Sequence, residues 1–346
     1  MITIHMTTHK RLASGLLREA VESVLSQDFG DFEFVICDDT SIDGTAGYLQ
    51  QVAASDGRVR IIRNERNVNS VAVSLGRCLQ HSDPARPWIS WAFDDCVLLP
   101  GALSRLVEAA GAHPAAGMLY GVTEVLQKNG SVLRVGSAPP AEVRSRIASS
   151  SVLVPNGGIL VHREVFRAHG WYDASIVLRR SCDWDLFRRI IEGGTAFVVL
   201  PDVLMRESGA LQADSLRNAF TTTFGVMARF VAARDSSGAR LDIDNVLMRP
   251  MDWIPPGDWS AADLNLMRYM FVEYFLSVGD LDRAFRWSRL LADGLDLGGT
   301  LLLDNLLRYA TGADADEKCA MAAGAFTGVV LGAWRERQQQ KRAGAR

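Results

Sequence analysis

The first hundred residues alternate short apolar runs with amphipathic stretches. Ile2 to Met6 is a run of the kind a buried strand makes, and Ser14 to Leu25 spaces Leu16, Leu17, Ala20, Val21, Val24 and Leu25 at helical intervals. Phe32 to Cys37 predicts a second strand, which ends in Asp38-Asp39. Asp43-Gly44-Thr45 then reads as a turn and helix N-cap leading into a helix over Ala46 to Ala54. Val59 to Arg63 predicts a third strand, Val71 to Leu79 a helix, and Trp88 to Phe93 a fourth strand ending in Asp94-Asp95. This alternation predicts an α/β protein with a mostly parallel sheet flanked by helices. Ligands of such sheets bind at the carboxyl ends of the strands, where both acidic pairs stand.

Beyond residue 100 the pattern continues with a helix over Ala102 to Ala112 and a strand over Met118 to Leu126. Asn129-Gly130 reads as the turn of a hairpin that returns through Val132-Leu133. Pro139-Pro140 opens a polar, Ser-rich connection to about Ser151. Gly157 to Val161 begins a further strand, Asp183 to Ile191 is a helix, and Val198 to Leu200 is the last strand of this part. From about Ser215 strand signals give way to long amphipathic stretches: Leu216 to Ala233, Ala261 to Val278, Asp282 to Asp293, Gly299 to Thr311 and Asp316 to Gln339. Tyr269 to Leu291, turning at Gly279 to Asp282, has the texture of one helical hairpin of the tetratricopeptide type. One such unit is too few to make a stable array. The expected organisation is therefore an α/β domain over 1–214, with halves 1–100 and 101–214, and a helical domain over 215–346. The helical part is expected to cover the α/β domain or to mediate self-association, with ligand recognition as the other role.

Composition narrows the class. Apolar residues make up 48% of the chain and charged residues 22%, with a net charge of −3. Such a chain supports a sizeable core and lacks the basic excess of a nucleic-acid binder. Cys37, Cys78, Cys96, Cys182 and Cys319 are far apart, without metal-ligand spacing, and are expected as buried apolar residues in a reducing compartment. The start carries no signal-peptide pattern. The longest apolar candidate, Ala322 to Trp334, is short and broken by Gly324, Gly328 and Gly332, so a membrane span is not expected. The chain reads as soluble and cytoplasmic, with the Arg- and Ala-rich usage of a GC-rich bacterial genome. The basic tail Arg335 to Arg346 is expected to be frayed and solvated.

The motifs together resemble the inverting family 2 glycosyltransferases of GT-A fold, from Ile2 to about Ser215. Thr8-His9-Lys10-Arg11 is similar to the family's opening Thr-Tyr-Asn-Arg element. Phe34 to Thr45 is similar to its strand followed by Asp-Asp-x-Ser-x-Asp-Gly-Thr. Phe93-Asp94-Asp95 stands where the family carries its Asp-x-Asp metal site. Gly157-Gly158 through Trp171-Tyr172-Asp173 resembles the acceptor-side region, and Cys182-Asp183-Trp184-Asp185-Leu186 resembles the Glu-Asp-Trp-Asp-Leu element that holds the catalytic base.

The resemblance implies a nucleotide-diphosphate sugar as donor and an acceptor that is a small molecule, a peptide or a glycan. Asp39 is implied as the acceptor of the base's imino N–H, which favours uracil or thymine. Its other reading is a helix cap, which Asp43 fits better. Asp38, Thr8, His9 and Arg11 are placed beside the base and phosphates, although Arg11 also reads as a surface charge. Asp95 is implied as the ligand of a divalent cation, Mg2+ or Mn2+, with Asp94 next to it on the donor. Asp183 is implied as the general base of a single inverting displacement. Asp185 reads as structural and Trp184 as packing or a sugar platform. Four departures stand out: Phe93 replaces the first Asp of Asp-x-Asp, Cys182 replaces a Glu, Leu204 to Ser208 lacks the family's His, and polar contacts from the Val73 to Arg77 helix shift to Arg77. These departures motivate an alternative, a nucleotide-sugar-binding module that has lost catalysis. A sugar nucleotidyltransferase or a dinucleotide-binding dehydrogenase requires a Gly-rich loop after the first strand, and Thr7-Thr8-His9-Lys10 has none.

Overall fold

A computed structural model describes residues 1–127, 129–207 and 213–290. The chain opens with β1 (Ile2–Thr8), α1 (Leu16–Leu25), β2 (Phe32–Asp38), α2 (Thr45–Ser55), β3 (Val59–Arg63) and α3 (Val71–His81). It continues through β4 (Trp88–Phe93), β5 (Cys96–Leu98), α4 (Ala102–Ala112), β6 (Met118–Leu126), β7 (Val132–Val135) and α5 (Pro140–Arg146). Then come β8 (Ile159–His162), α6 (Arg163–His169), α7 (Cys182–Glu192) and β9 (Phe197–Glu207). The helices α8 (Ala213–Ser236), α9 (Ile243–Met248), α10 (Ala261–Ser277) and α11 (Leu281–Arg289) follow.

The strands form one mixed sheet in the order β3-β2-β1-β4-β8-β6-β9-β5, with β7 on β6. β1 lies between parallel β2 and β4, and β2 continues to parallel β3. β1, β2 and β4 are buried along nearly their whole length, as parallel strands covered on both sides must be, whereas β3 at the edge exposes Arg60 and Arg63. Ile2, Ile4 and Met6 pack with Leu17, Val21 and Val24 of α1, Leu49 of α2 and Leu103 and Leu106 of α4. Ile89 and Trp91 pack on the other side with Leu75 of α3, Phe166 of α6, and Leu186, Phe187 and Ile190 of α7.

Two expectations from the chain pattern change. The stretch after Pro139, expected as a connection, contains α5. Pro140 sits in its first turn, where the missing N–H costs nothing, and Glu142 and Arg144/Arg146 suit the two ends of the helix dipole. The last strand, expected over Val198 to Leu200, extends from Phe197 to Glu207 through Pro201. Pro201 falls where the β6–β9 register shifts between Tyr120 and Thr123, so no regular ladder bond is lost. Gly121 lies in the same irregularity, and a Cβ there would come within 2.4 Å of Leu204 Cγ and 2.8 Å of the Asp202 carbonyl oxygen.

The chain divides into two compact units. The first comprises Met1–Gly225 and Gly238–Trp253, and the second Val226–Ser237 and the segment that starts at Ile254. Residues 238–253 group with the sheet-bearing unit in this division. Trp171 N–H donates to the Leu241 carbonyl at 2.6 Å, Ile176 N–H to the Met251 carbonyl at 2.9 Å, and Arg249 pairs with fully buried Asp173. In the second unit α10 and α11 form a helical pair across Gly279, with the Phe271 and Trp287 rings 4.7 Å apart. The helices expected over Gly299 to Thr311 and Asp316 to Gln339, and the tail, lie outside the described residues. No described helix is long and apolar enough to cross a membrane.

Overpacking at the β6–β9 irregularity has a measurable cost: Gly121→Ala is expected to lower stability by about 1–3 kcal/mol in urea or thermal melts. An unchanged transition would show that Leu204 repacks freely.

Candidate active site

The parallel register aligns the ends of the first two strands, with Thr8 opposite Asp38. Asp38 is 1% exposed. Its Oδ1 accepts the Ser41 N–H at 2.9 Å, and its Oδ2 faces Arg63 at 3.2 Å, which ties the loop down. Asp39 faces the other way. Its Oδ1 accepts from Asn64 Nδ2 at 2.7 Å and from Val68 N–H at 2.9 Å, and its Oδ2 accepts from Asn69 N–H at 2.8 Å. A carboxylate offers about four acceptor positions, so one remains, on Oδ2. His9 Nδ1 lies 2.7 Å from the Asp39 carbonyl oxygen, which can only accept. The ring therefore carries its proton on Nδ1, and Nε2 accepts from Asn67 Nδ2 at 3.3 Å. Lys10, Thr40 and Asn69 have φ of 54°, 57° and 40°, so the three loops here hold left-handed backbone at non-glycine positions. Asp43 anchors this arrangement by accepting from Leu12 N–H, Thr45 N–H and the Thr45 hydroxyl. Arg77 reaches Asn64 Oδ1 at 3.0 Å and so acts on Asp39 through that amide.

The end of β4 brings in the second acidic pair. Arg11 stands 3.9 Å from Asp94 and 4.0 Å from Asp95, close enough to attract both but too far for a hydrogen bond. Burial, with Asp95 adding repulsion, pushes the Asp94 pKa up to about 6, against the Thr8 hydroxyl, Arg11 and the His9 backbone N–H. Antiparallel pairing of β5 with β9 sets Glu207 opposite Cys96, next to Asp95. Burial pushes the Glu207 pKa up to about 7, and repulsion from Asp95 and Asp183 adds to it. Glu207 thus lies within the fields of both carboxylates.

Asp183 stands in the first turn of α7. Burial raises its proton affinity, opposed by the Trp184 N–H and by Asn156, whose Nδ2 donates to Oδ2 at 2.6 Å. Its neighbours are structural. Cys182 is a buried thiol, free like Cys37, Cys78 and Cys96. Trp184 is 2% exposed and donates to the Ile147 carbonyl at 2.8 Å, so it packs. Fully buried Asp185 pairs with Arg188 and Arg189 at 3.1 Å each, and Arg189 in turn donates to the Trp171 carbonyl.

The donor chemistry around Asp95 suits a hard divalent cation: carboxylate oxygens, desolvated, with negative charge that Arg11 only partly offsets. No three His, Cys, Asp or Glu side chains converge into a closed cage among the described residues.

Three site residues escaped the sequence reading. Asn64 follows the third strand and obeys the same strand-end rule that singled out Asp39 and Asp95. Asn156 immediately precedes Gly157-Gly158. Glu207 lies in the very stretch searched for a histidine, and only the β5–β9 pairing reveals it.

The fold and this arrangement are those of an α/β protein whose polar groups gather at the carboxyl edge of its sheet. Residues 3–170, just under half of the chain, match the family model for glycosyl transferase family 2. It is 28% identical over 179 residues to EpsE of Bacillus subtilis (strain 168), across 51% of this chain and 63% of that protein. It is also 28% identical over 142 residues to the GalNAc(5)-diNAcBac-PP-undecaprenol beta-1,3-glucosyltransferase of Campylobacter jejuni, across 40% of this chain and 43% of that one. This chain therefore aligns with less than two thirds of either relative. Among solved structures it is similar to TarS 1-349 of S. aureus in complex with UDP, with a TM-score of 0.53 at 14% identity over 90% of this chain and 81% of that one. That likeness establishes the GT-A fold.

The raised Glu207 pKa has a consequence for stability. The folded chain binds this proton more tightly than the unfolded one, so stability is lost as pH rises from about 4.5 to about 7. In EDTA, Glu207→Gln is expected to be about 1–3 kcal/mol more stable than the wild type at about pH 8 and nearly equal at about pH 5. The opposite pull of buried His5, whose pKa falls to about 3, cancels in this comparison. A difference independent of pH would contradict the assignment.

Proposed function

We propose that this protein transfers a glycosyl group with inversion from a uracil- or thymine-nucleotide diphosphate sugar to an acceptor hydroxyl, with Asp183 as general base. The observation that carries this reading is the placement of Asp94 and Asp95 at the end of β4, with Glu207 set opposite Cys96 and within the fields of Asp95 and Asp183, while His9 links this edge to the Asp39 pocket. On the donor side the free Oδ2 position of Asp39 takes the base's imino N–H, with His9 and Thr8 alongside. Asp38 and Arg77 hold that pocket in shape, and Arg11 and Asp94 lie along the path to the phosphates. Binding of UDP by TarS supports the pyrimidine reading.

Asp95, with Asp94 beside it, would hold a Mg2+ or Mn2+ ion, which supplies positive charge to the departing diphosphate. The acceptor oxygen attacks the anomeric carbon opposite the leaving group, the glycosidic C–O electron pair leaves with the nucleoside diphosphate, and Asp183 takes the acceptor's proton. Burial suits Asp183 to this task, because a raised proton affinity makes a stronger base. The Asn156 amide fixes the carboxylate's rotation. The acceptor is a small molecule, a peptide or a glycan.

Incubation with UDP- and dTDP-sugars in Mg2+ or Mn2+ is expected to release nucleoside diphosphate and give a product of inverted anomeric configuration by NMR. Asp183→Asn is expected to lower kcat about 10²–10⁴-fold while melting like the wild type. Normal turnover in that variant would refute the base assignment. Phe93 and Cys182 favour one other reading, a binding module without turnover. Nucleotide binding by the wild type with no product from any acceptor would support it.

A further inference from the structure

We infer that Asn64 is a positioning residue that sets donor-base selectivity by fixing the rotation of Asp39; this rests on the donor-site reading above. Asn64 is 2% exposed and stands one residue beyond β3, where its backbone N–H donates to the Asp38 carbonyl at 3.0 Å. Its amide is fully used. Nδ2 donates to Asp39 Oδ1 at 2.7 Å and to Ser74 Oγ at 3.1 Å. Oδ1 accepts from Arg77 at 3.0 Å and from the Cys37 thiol at 3.5 Å. Two donors and two acceptor positions exhaust the side chain.

The network permits one orientation only. Turned over, the amide would set its carbonyl against the Asp39 carboxylate and its NH2 against the Arg77 guanidinium, two repulsive contacts in place of two charge-assisted bonds. Arg77 therefore decides which way Asn64 points, and Asn64 decides which Asp39 oxygen is committed. With Oδ1 holding Asn64 and Val68, the spare acceptor position falls on Oδ2. A uracil presents an imino N–H to such an oxygen, whereas cytosine presents a bare ring nitrogen, acceptor against acceptor. The preference for UDP over CDP thus reads the orientation of Asp39 directly. Nothing in the Asp-Asp-x-Ser-x-Asp-Gly-Thr segment encodes this; it arises where the end of β3 meets α3.

The test is calorimetric titration of UDP and CDP in Mg2+, with KM and kcat for a UDP-sugar, on the full-length wild type, Asn64→Leu, Arg77→Met and Arg77→Lys. The wild type is expected to prefer UDP. Asn64→Leu keeps the volume but loses the bonds, and is expected to weaken UDP about tenfold or more and to shrink the UDP/CDP ratio by a similar factor. The donor KM is expected to rise in parallel while kcat stays within about threefold, since Asn64 does not touch the reacting atoms. Arg77→Met is expected to shift the ratio in the same sense, and Arg77→Lys, which retains a donor for Asn64 Oδ1, to restore it. A role confined to stability would lower the melting temperature and leave the ratio alone. A wild-type ratio in folded Asn64→Leu overturns the inference. Should that variant not fold, equal ratios in Arg77→Met and Arg77→Lys overturn it. A wild type that binds neither nucleotide, or prefers CDP, refutes the donor-site reading itself.

Discussion

The parallel hydrogen-bond ladder that holds β1 between β2 and β4 fixes where every functional group emerges. Parallel pairing brings strands to the same edge at the same level: Thr8 stands level with Asp38, and Thr7 with Phe93. Asp39 and Asp94 are each the first residue beyond their strand, so the ladder sets them on either side of the end of β1 although 55 positions separate them in the chain. A slip of one residue would turn every side chain to the opposite face. The two apolar layers prevent that, because Ile2, Ile4 and Met6 fit only the face covered by α1, α2 and α4.

The same edge concentrates negative charge beyond what its surroundings neutralise. Asp94 and Glu207 hold protons at pH values where exposed carboxylates are ionised, and Asp183 is shifted in the same direction by burial. The contrast with Asp185 is instructive. It is fully buried, yet it lies between two guanidinium groups and serves as a structural tie. Two carboxylates within one turn of α7 thus differ in compensation: Asp185 has cationic partners, and Asp183 has the Asn156 amide and backbone N–H groups. Carboxylates destabilised in this way are the kind of group that a cation or a proton relieves.

Much of this was legible from the chain. The strand–helix rhythm and the acidic pairs after Cys37 and Phe93 located the sheet and its functional edge, because both signals are local. Asp185 as a structural residue was also readable, since its partners Arg188 and Arg189 stand three and four residues away. The parts that were missed depend on pairing between distant segments. Glu207 matters only because β9 runs far enough to lie against β5, and that length is hidden by Pro201. Asn64 matters only because α3 brings Arg77 and Ser74 to it. The return of 238–253 to the catalytic unit is invisible because its anchors, Leu241 and Arg249, look like ordinary members of a helical region.

The central claim is that the carboxyl edge of β1, β2 and β4 is the nucleotide-sugar site, with the base on Asp39 and the diphosphate towards Asp95. A crystal structure with UDP and Mn2+ tests it most directly. The account predicts the uracil imino nitrogen within hydrogen-bond distance of Asp39 Oδ2, with the ion bridging Asp95 and the diphosphate. UDP seated elsewhere, or bound with Asp39 still turned away from the base, would contradict it.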